Sequence, residues 1–481
     1  MKRLVLAWLF ASTFILLPAQ NRGDLIGAQP LASLTYPDIQ QIYNQNGILE
    51  IFSPIEYDVK AYKLVYWTPA ATGDSLTFAS GLLLVPQGDC DFPLFCYAHG
   101  TQYYGQDVSD LQGEYPIGLA FAANGYLTAM PDYLGYGATP ISHPHPYVHA
   151  ATEASATIDM LRATRQWASQ QAVRLSEQVF LSGYSQGGHV AMATARTMET
   201  DLSSEFSLTA VVPGSGPYDV SATTRDSLLA ERPTSAFYLA FVMTSYQYVY
   251  GSIWNVPSDI LVPPYDQWVP EFFDRENPIP RPLPDTAVRM LRPEVVATVR
   301  QDSLHPINLA LRDNDVYDWT PQVPMRMYYC EADEQVPYTN ALVAQAAFQQ
   351  NGSTSTIALS AGPELDHVSC AIPTLLFAKG WFDSMRDTCT TRNSTGLLTA
   401  AEAGLRLGPN PFGGVLRWNL PEGHGFHQLS LYDTQGRRIR QETLRLNQGS
   451  GILSGQALPR GMYFLVWQGP RSWLRAPVWK E

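Results

Sequence analysis

The sequence predicts an α/β fold: a mostly parallel sheet with helices on both faces, a helical insertion over one end of that sheet, and a small C-terminal β-sandwich. Three observations predict it. Apolar runs at 92–99, 126–130, 208–212 and 323–329 alternate with helical patterns, as buried parallel strands joined by helices do. The stretch 178–197, QVFLSGYSQGGHVAMATART, reads as strand, sharp turn and helix in immediate succession. Beyond residue 404 the pattern becomes one of short alternating runs separated by turns.

In chain order, Met-Lys-Arg, an apolar run from Leu4 to Leu17 and then Pro18-Ala19 read as a signal peptide over residues 1–19. The apolar run is too short for a membrane span. Tyr57 to Pro69 and Leu76 to Val85 alternate as two strands, the second closed by Pro86, and make an antiparallel opening to the sheet. Thr152 to Trp167 is helical, with Ala154, Ile158, Leu161 and Ala168 at helical spacing. From about Pro217 to Pro321 the alternation is interrupted by a long, aromatic and proline-rich insertion. Phe237 to Tyr250 is apolar nearly all round, so it is expected either to cap the end of the sheet or to form a small core of its own.

The chain has 481 residues and a net charge of −13, unevenly spread. Residues 404–481 carry ten Lys and Arg against four Asp and Glu, leaving 21 of 31 basic and 40 of 44 acidic residues to the rest. An acidic body argues against nucleic acid or an anionic polymer as the main substrate. Five cysteines (Cys90, Cys96, Cys330, Cys370 and Cys389) leave at least one thiol unpaired. Proximity suggests Cys90 with Cys96 and Cys370 with Cys389, and leaves connectivity open.

Chemistry concentrates at the sharp turn. Gly183-Tyr184-Ser185-Gln186-Gly187 places a serine between a strand and a helix, with glycines where the turn needs close backbone approach. A serine hydroxyl is a weak nucleophile until a histidine takes its proton, and the histidine needs an acid to orient it. Asp333, on the loop after a late strand, suits the last role, with Glu331 and Glu334 as rivals. His367 suits the base, and Asp366 adjoins it too closely to orient it. His189, four residues beyond Ser185, is expected to pack behind the turn. His143, His145 and His149 are separated by prolines and lack an acidic neighbour, so the cluster reads as a structural loop and no metal or cofactor is expected.

Residues 30–390 resemble the α/β-hydrolase fold in its secretory lipase and esterase branch. The residues carrying the resemblance are His99-Gly100-Thr101, Asp132-Tyr133-Leu134-Gly135-Tyr136-Gly137, His145-Pro146-Tyr147, Gly183 to Gly188, Asp333 in a D-x-x-V-P setting, and His367. The resemblance implies Ser185 as nucleophile, His367 as general base, Asp333 as orienting acid, and the backbone N–H groups of Thr101 and Gln186 as the oxyanion hole. One glycine follows His99 where the HGGG lipases have three. The implied activity is cleavage of carboxylic esters with apolar acyl groups; the crowding of aromatics in the insertion separately makes Phe237, Tyr238 and Phe241 the residues expected to meet the substrate. A serine peptidase of the same fold and a non-catalytic surface adhesion protein are the alternatives.

The tail differs in kind. After a polar linker over 391–403, residues 404–481 resemble a type IX secretion C-terminal sorting domain, through Pro409-Asn410-Pro411-Phe412, Tyr432-Asp433-x-x-Gly436 and Gly461-x-Tyr463. That resemblance implies passage through the periplasm to the cell surface or medium, the secretion machinery as partner, and a tail without part in catalysis.

Overall fold

The computed structural model describes residues 20–387 except 51, 74, 103–105, 141 and 272–281, together with 397–398 and 403–481 except 422–425, 427, 435–436, 445–448 and 469–472. The expected signal peptide, Cys389, Gly436 and most of the expected linker lie outside the described residues. The fold is α/β, built on a nine-stranded sheet of order β1-β2-β3-β5-β4-β6-β7-β8-β9. Its strands are β1 Leu25–Leu34, β2 Val59–Pro69, β3 Leu76–Pro86, β4 Phe92–Ala98, β5 Leu127–Pro131, β6 Leu175–Tyr184, β7 Leu208–Gly214, β8 Met325–Cys330 and β9 Thr356–Gly362. β1 to β3 and the β3–β5 pair are antiparallel, and from β5 onward every neighbour is parallel. Helices α1 (Tyr36–Gln45), α2 (Tyr115–Ala123), α3 (Ala150–Gln170) and α4 (Gln186–Thr200) cover the two faces, together with the later helices Thr339–Gln350 and His367–Asp383.

All seven residues of β4 are buried, which explains why its sequence runs apolar without alternation: both faces meet helices. Apolar side chains from the two faces form separate cores, one around Ile158, Leu181 and Met192 and one around Phe95, Phe121 and Phe180. The sheet's carboxyl ends converge on one crevice, where open α/β sheets bind ligands. Ser185 follows β6, Asp333 follows β8 and His367 follows β9.

The insertion lies between β7 and β8 and contains the helices Ala236–Tyr250, Pro293–Gln301 and Pro306–Asp313. It does both things expected of it. Leu239, Phe241, Met243, Tyr246, Leu261 and Met290 bury one another in a core that Tyr147 and Val148 of the body also enter. Tyr238 and Val242, on the same helix, line a cavity shared with Ser185.

The tail comprises β10 Leu397–Leu398, β11 Arg406–Gly408, β12 Val415–Asn419, β13 Gln428–Asp433, β14 Arg438–Thr443, β15 Ser450–Ser454, β16 Gly461–Gln468 and β17 Trp473–Lys480. They form a five-stranded sheet, β10-β17-β16-β13-β14, and a three-stranded one, β11-β12-β15. Trp418 and Leu453 of the smaller sheet meet Leu431, Leu465 and Trp467 of the larger in one core. The tail is docked on the body. Phe464 lies 4.2 Å from Phe52 and Trp479 lies 6.0 Å from Phe377, ring centre to ring centre. A Cβ on Gly380 would come within 3.0 Å of Pro477, so the small residue allows the close approach.

Beneath this contact three basic side chains share one carboxylate. Asp383 accepts from Lys379 at 2.8 Å, from Arg475 of the tail at 3.1 Å and from the Tyr126 hydroxyl at 3.0 Å, with Arg386 alongside at 3.7 Å. Burial, with Arg475 and Arg386 nearby, pushes the Lys379 amine down to about 7 despite the attraction of Asp383. The unfolded chain therefore takes up a proton that the folded protein lacks between about pH 7 and the amine's ordinary 10.5, so this group makes stability rise with pH across that window. Lys379→Met is expected to flatten the rise. Denaturant midpoints of the two proteins from pH 6 to 10 check it, and identical slopes would show that Lys379 stays charged in the folded state.

Candidate active site

The turn at Ser185 is held by backbone crowding. Ser185 adopts φ 59° and ψ −121°, and its N–H donates to the Gly214 carbonyl at 2.9 Å. A Cβ on Gly183 would run into the Gly187 carbonyl, and one on Gly187 into the carbonyl of Ala98. These contacts explain why small residues flank the serine, because β4, β6 and α4 meet here backbone to backbone. The strained serine projects its hydroxyl from the N-terminus of α4, where free N–H groups favour negative charge.

Asp333, His367 and Ser185 form a continuous hydrogen-bonded chain. His367 Nδ1 lies 2.7 Å from Asp333 Oδ2, and His367 Nε2 lies 2.9 Å from Ser185 Oγ. Nδ1–H faces a carboxylate that can only accept, so Nε2 is left to accept from the serine hydroxyl. The other oxygen of Asp333, Oδ1, accepts from the backbone N–H groups of Gln335 and Val336 at 3.0 and 2.8 Å. The carboxylate is thus fixed on both sides. Such an arrangement can draw the serine proton onto the imidazole as the serine attacks an electrophile.

Three supports for this chain went unnoticed in the sequence. Tyr184 donates its hydroxyl to the His367 carbonyl at 2.6 Å. Glu334, a rival for the acid, accepts the His367 backbone N–H at 3.1 Å; burial works against its charge, but that bond and the Gln335 amide hold its carboxyl below the ordinary value. A disulfide joins Cys330, at the end of β8, to Cys370, one turn along the helix that begins at His367. The suggested pairs Cys90–Cys96 and Cys370–Cys389 are therefore corrected. Cys96 is a buried free thiol, and Cys90 is itself disulfide-bonded. Proximity in sequence misled because connectivity is set by which strand ends and helices meet.

The remaining candidates fall as follows. Asp366 caps the helix by accepting the Ser369 N–H, and Glu331 is exposed. Gln186 follows Ser185 as the first residue of α4, and Thr101 follows His99-Gly100 beyond the end of β4, with its hydroxyl 2.8 Å from that of Tyr147. The Gly100 N–H is taken by the Glu114 carboxylate at 3.2 Å and is not available to a substrate. Tyr238 lines the cavity and donates its hydroxyl to Gln335. Phe241 stacks on Tyr147 at 4.3 Å, and Phe237 packs edge-on against Tyr238 and Phe241. His145 and His189 are buried, and His149 bonds Thr152. Among the described residues no group of three or more His, Cys, Asp or Glu could hold a metal ion, and no helix is long and apolar enough to cross a membrane.

The cavity holding Ser185 and Gln186 encloses about 570 Å³, counting the solvent at its mouth. Its wall is mainly apolar, with Val148, Val220, Leu228, Val242 and Leu311 among the lining residues and Arg225 as the cation.

The family described as secretory lipase matches residues 110–236, which include the Ser185 turn. The cell-wall-degrading esterase LipA of Xanthomonas oryzae is similar at 29% identity and a TM-score of 0.67, over 76% of this chain and 100% of that one. A Legionella pneumophila protein described as a putative hydrolase is similar at 28% identity and a TM-score of 0.68, over 75% of this chain and 98% of that one. Candida antarctica lipase A in its closed state shares the fold at 16% identity and a TM-score of 0.55, over 78% of this chain and 85% of that one. No curated protein sequence matches. The fold is that of the α/β hydrolases, and these likenesses support an ester-cleaving serine hydrolase.

Proposed function

We propose that the protein is a secreted serine esterase or lipase that works through an acyl-enzyme intermediate, with Ser185, His367 and Asp333 as its triad. The observation that carries this reading is the unbroken chain from Asp333 Oδ2 through His367 to Ser185 Oγ, at 2.7 and 2.9 Å. In the first half-reaction Ser185 Oγ attacks the ester carbonyl while His367 Nε2 takes its proton, and Asp333 stabilises the imidazolium. The oxyanion is met by the N–H groups of Thr101 and Gln186. Collapse releases the alcohol, which receives the proton from His367. Water then repeats the sequence on the acyl-enzyme and regenerates Ser185.

Ser185→Ala is expected to fold normally and to lose about 10⁴-fold or more in kcat, since the triad acts as a unit. A panel of p-nitrophenyl esters against aminoacyl anilides checks both the nucleophile and the class. An active Ser185→Ala protein removes Ser185 as nucleophile, and preferential turnover of anilides would make the enzyme a peptidase.

The apolar cavity supports an acyl chain as its occupant, because each methylene moved from water contributes about 0.8 kcal/mol. The expected result is a rise in kcat/KM with acyl length up to the limit of the cavity. Val242→Trp, which fills part of the wall, is expected to shift the optimum to shorter acyl groups. Profiles from acetyl to dodecanoyl esters read this directly, and superimposable profiles for the two proteins would reject the insertion helix as the acyl wall.

We also propose that the tail is the export address, carried by type IX secretion machinery after signal-peptide removal in the periplasm. Support comes from its basic charge, its motifs and the coverage of the whole of LipA by 76% of this chain. Deleting 404–481 in the producing cell is expected to leave the enzyme in the periplasm. Undiminished appearance in the medium would refute the address.

A further inference from the structure

Behind the turn lies a buried polar cluster that the triad chemistry leaves unused. Glu153 of α3 is its centre, and Glu153, Gln186, His145 and His189 are each no more than 1% exposed. Glu153 Oε1 accepts from Gln186 Nε2 at 2.8 Å and from the Val148 N–H at 3.1 Å, and Oε2 lies 2.7 Å from His189 Nδ1. His189 Nε2 lies 2.9 Å from the Asn314 carbonyl. Both nitrogens of His189 therefore face oxygen atoms, one of them in the Glu153 carboxylate. Burial works against the charge of Glu153, but His189 and Gln186 outweigh it and hold the carboxyl below its ordinary value.

The donors and acceptors around the Gln186 amide follow from their partners. His145 Nδ1 lies 2.7 Å from the Leu134 carbonyl and must donate to it, so its Nε2 accepts the second hydrogen of Gln186 Nε2 at 2.8 Å. Gln186 Oε1 is buried without a partner among the described residues. That orphan fixes the amide's direction, because turning it over would set the oxygen against the Glu153 carboxylate. The side chain of Gln186 is thus clamped by its two donors alone.

The same carboxylate reaches the other side of the site. Val148 has φ 52°, a strained value for a β-branched residue, and its N–H ends on Glu153. The preceding residue, Tyr147, lines the cavity, and its hydroxyl lies 2.8 Å from Thr101 Oγ1. Glu153 therefore braces Gln186 directly and Thr101 through Tyr147.

Building on the proposed reaction, we infer that Glu153, locked by His189, is a positioning residue for the oxyanion hole: it aims the backbone N–H of Gln186 and, through Val148 and Tyr147, that of Thr101. It touches no reacting atom. Loss of one oxyanion donor costs about 10²- to 10³-fold in kcat, and a donor displaced by about 1 Å costs a comparable share.

Glu153→Met keeps the volume but removes both acceptor oxygens, leaving the Gln186 amide, the Val148 N–H and His189 without the partner they share. The full-length variant is expected to lose about 10- to 100-fold in kcat with KM within about twofold of wild type. Affinity for an alkyl boronic acid, which becomes a tetrahedral anion on Ser185, is expected to fall by the same factor. Gln186→Met, which keeps the backbone N–H and the volume, is expected to show the same losses, and the double variant no more than either alone. If Glu153→Met does not fold, Gln186→Met alone decides. Wild-type kcat and boronate affinity in a folded variant, with only Tm lowered, would overturn the inference while leaving Ser185→Ala inactive. An active Ser185→Ala protein would instead overturn the reading on which it rests.

Discussion

The close backbone approach at the serine turn constrains everything around it. Gly183 and Gly187 let β6 and α4 pack against the end of β4 with no side chain between them, and this forces Ser185 to φ 59°. Such a conformation costs on the order of 1–3 kcal/mol and survives only where neighbouring structure over-determines it. Here the Gly214 carbonyl, the buried run of β4 and the Glu153 cluster behind α4 do so. Strain is thereby held on rigid elements, so the hydroxyl direction is fixed before any substrate arrives.

The proposed base and acid, His367 and Asp333, come from chain 34 residues apart, and several independent ties hold them in register. The Cys330–Cys370 disulfide joins the strand that leads to Asp333 to the helix that starts at His367. Tyr184 and Glu334 take the carbonyl and the N–H of His367, so the backbone of the base is gripped at both ends of the residue. At its far end the same helix carries Asp383, which accepts from Arg475 of the tail. One helix thus presents His367 at its first residue and receives the docked tail at its last turn.

Much of this was legible in the residues, for identifiable reasons. A turn that tolerates no Cβ leaves glycines at fixed positions, and strands buried on both faces leave unbroken apolar runs such as 92–98. β1, by contrast, is an edge strand with mostly exposed residues, so it leaves no alternation to read, and β9 has a similarly mixed pattern. Glu153 in the first turn of α3 looks like any carboxylate favoured near a helix N-terminus. Its role emerges only when His189 and Gln186 are brought beside it. Arg475 likewise reads as the solvent-facing residue of an alternating strand, because nothing local announces that Asp383, 92 residues earlier, lies beneath it. Disulfide connectivity fails for the same reason: partners distant in sequence are chosen by the fold.

The central claim, a covalent acyl-enzyme on Ser185 served by His367, can be observed directly. An acid-quenched reaction with a slowly deacylating p-nitrophenyl ester, digested and mapped by mass spectrometry, is expected to place one acyl group on the peptide containing Ser185. Its rate of formation should match the burst of p-nitrophenol, and His367→Ala should abolish both. Turnover of the ester without acylation of that peptide, or acylation at the wild-type rate in His367→Ala, would contradict the account.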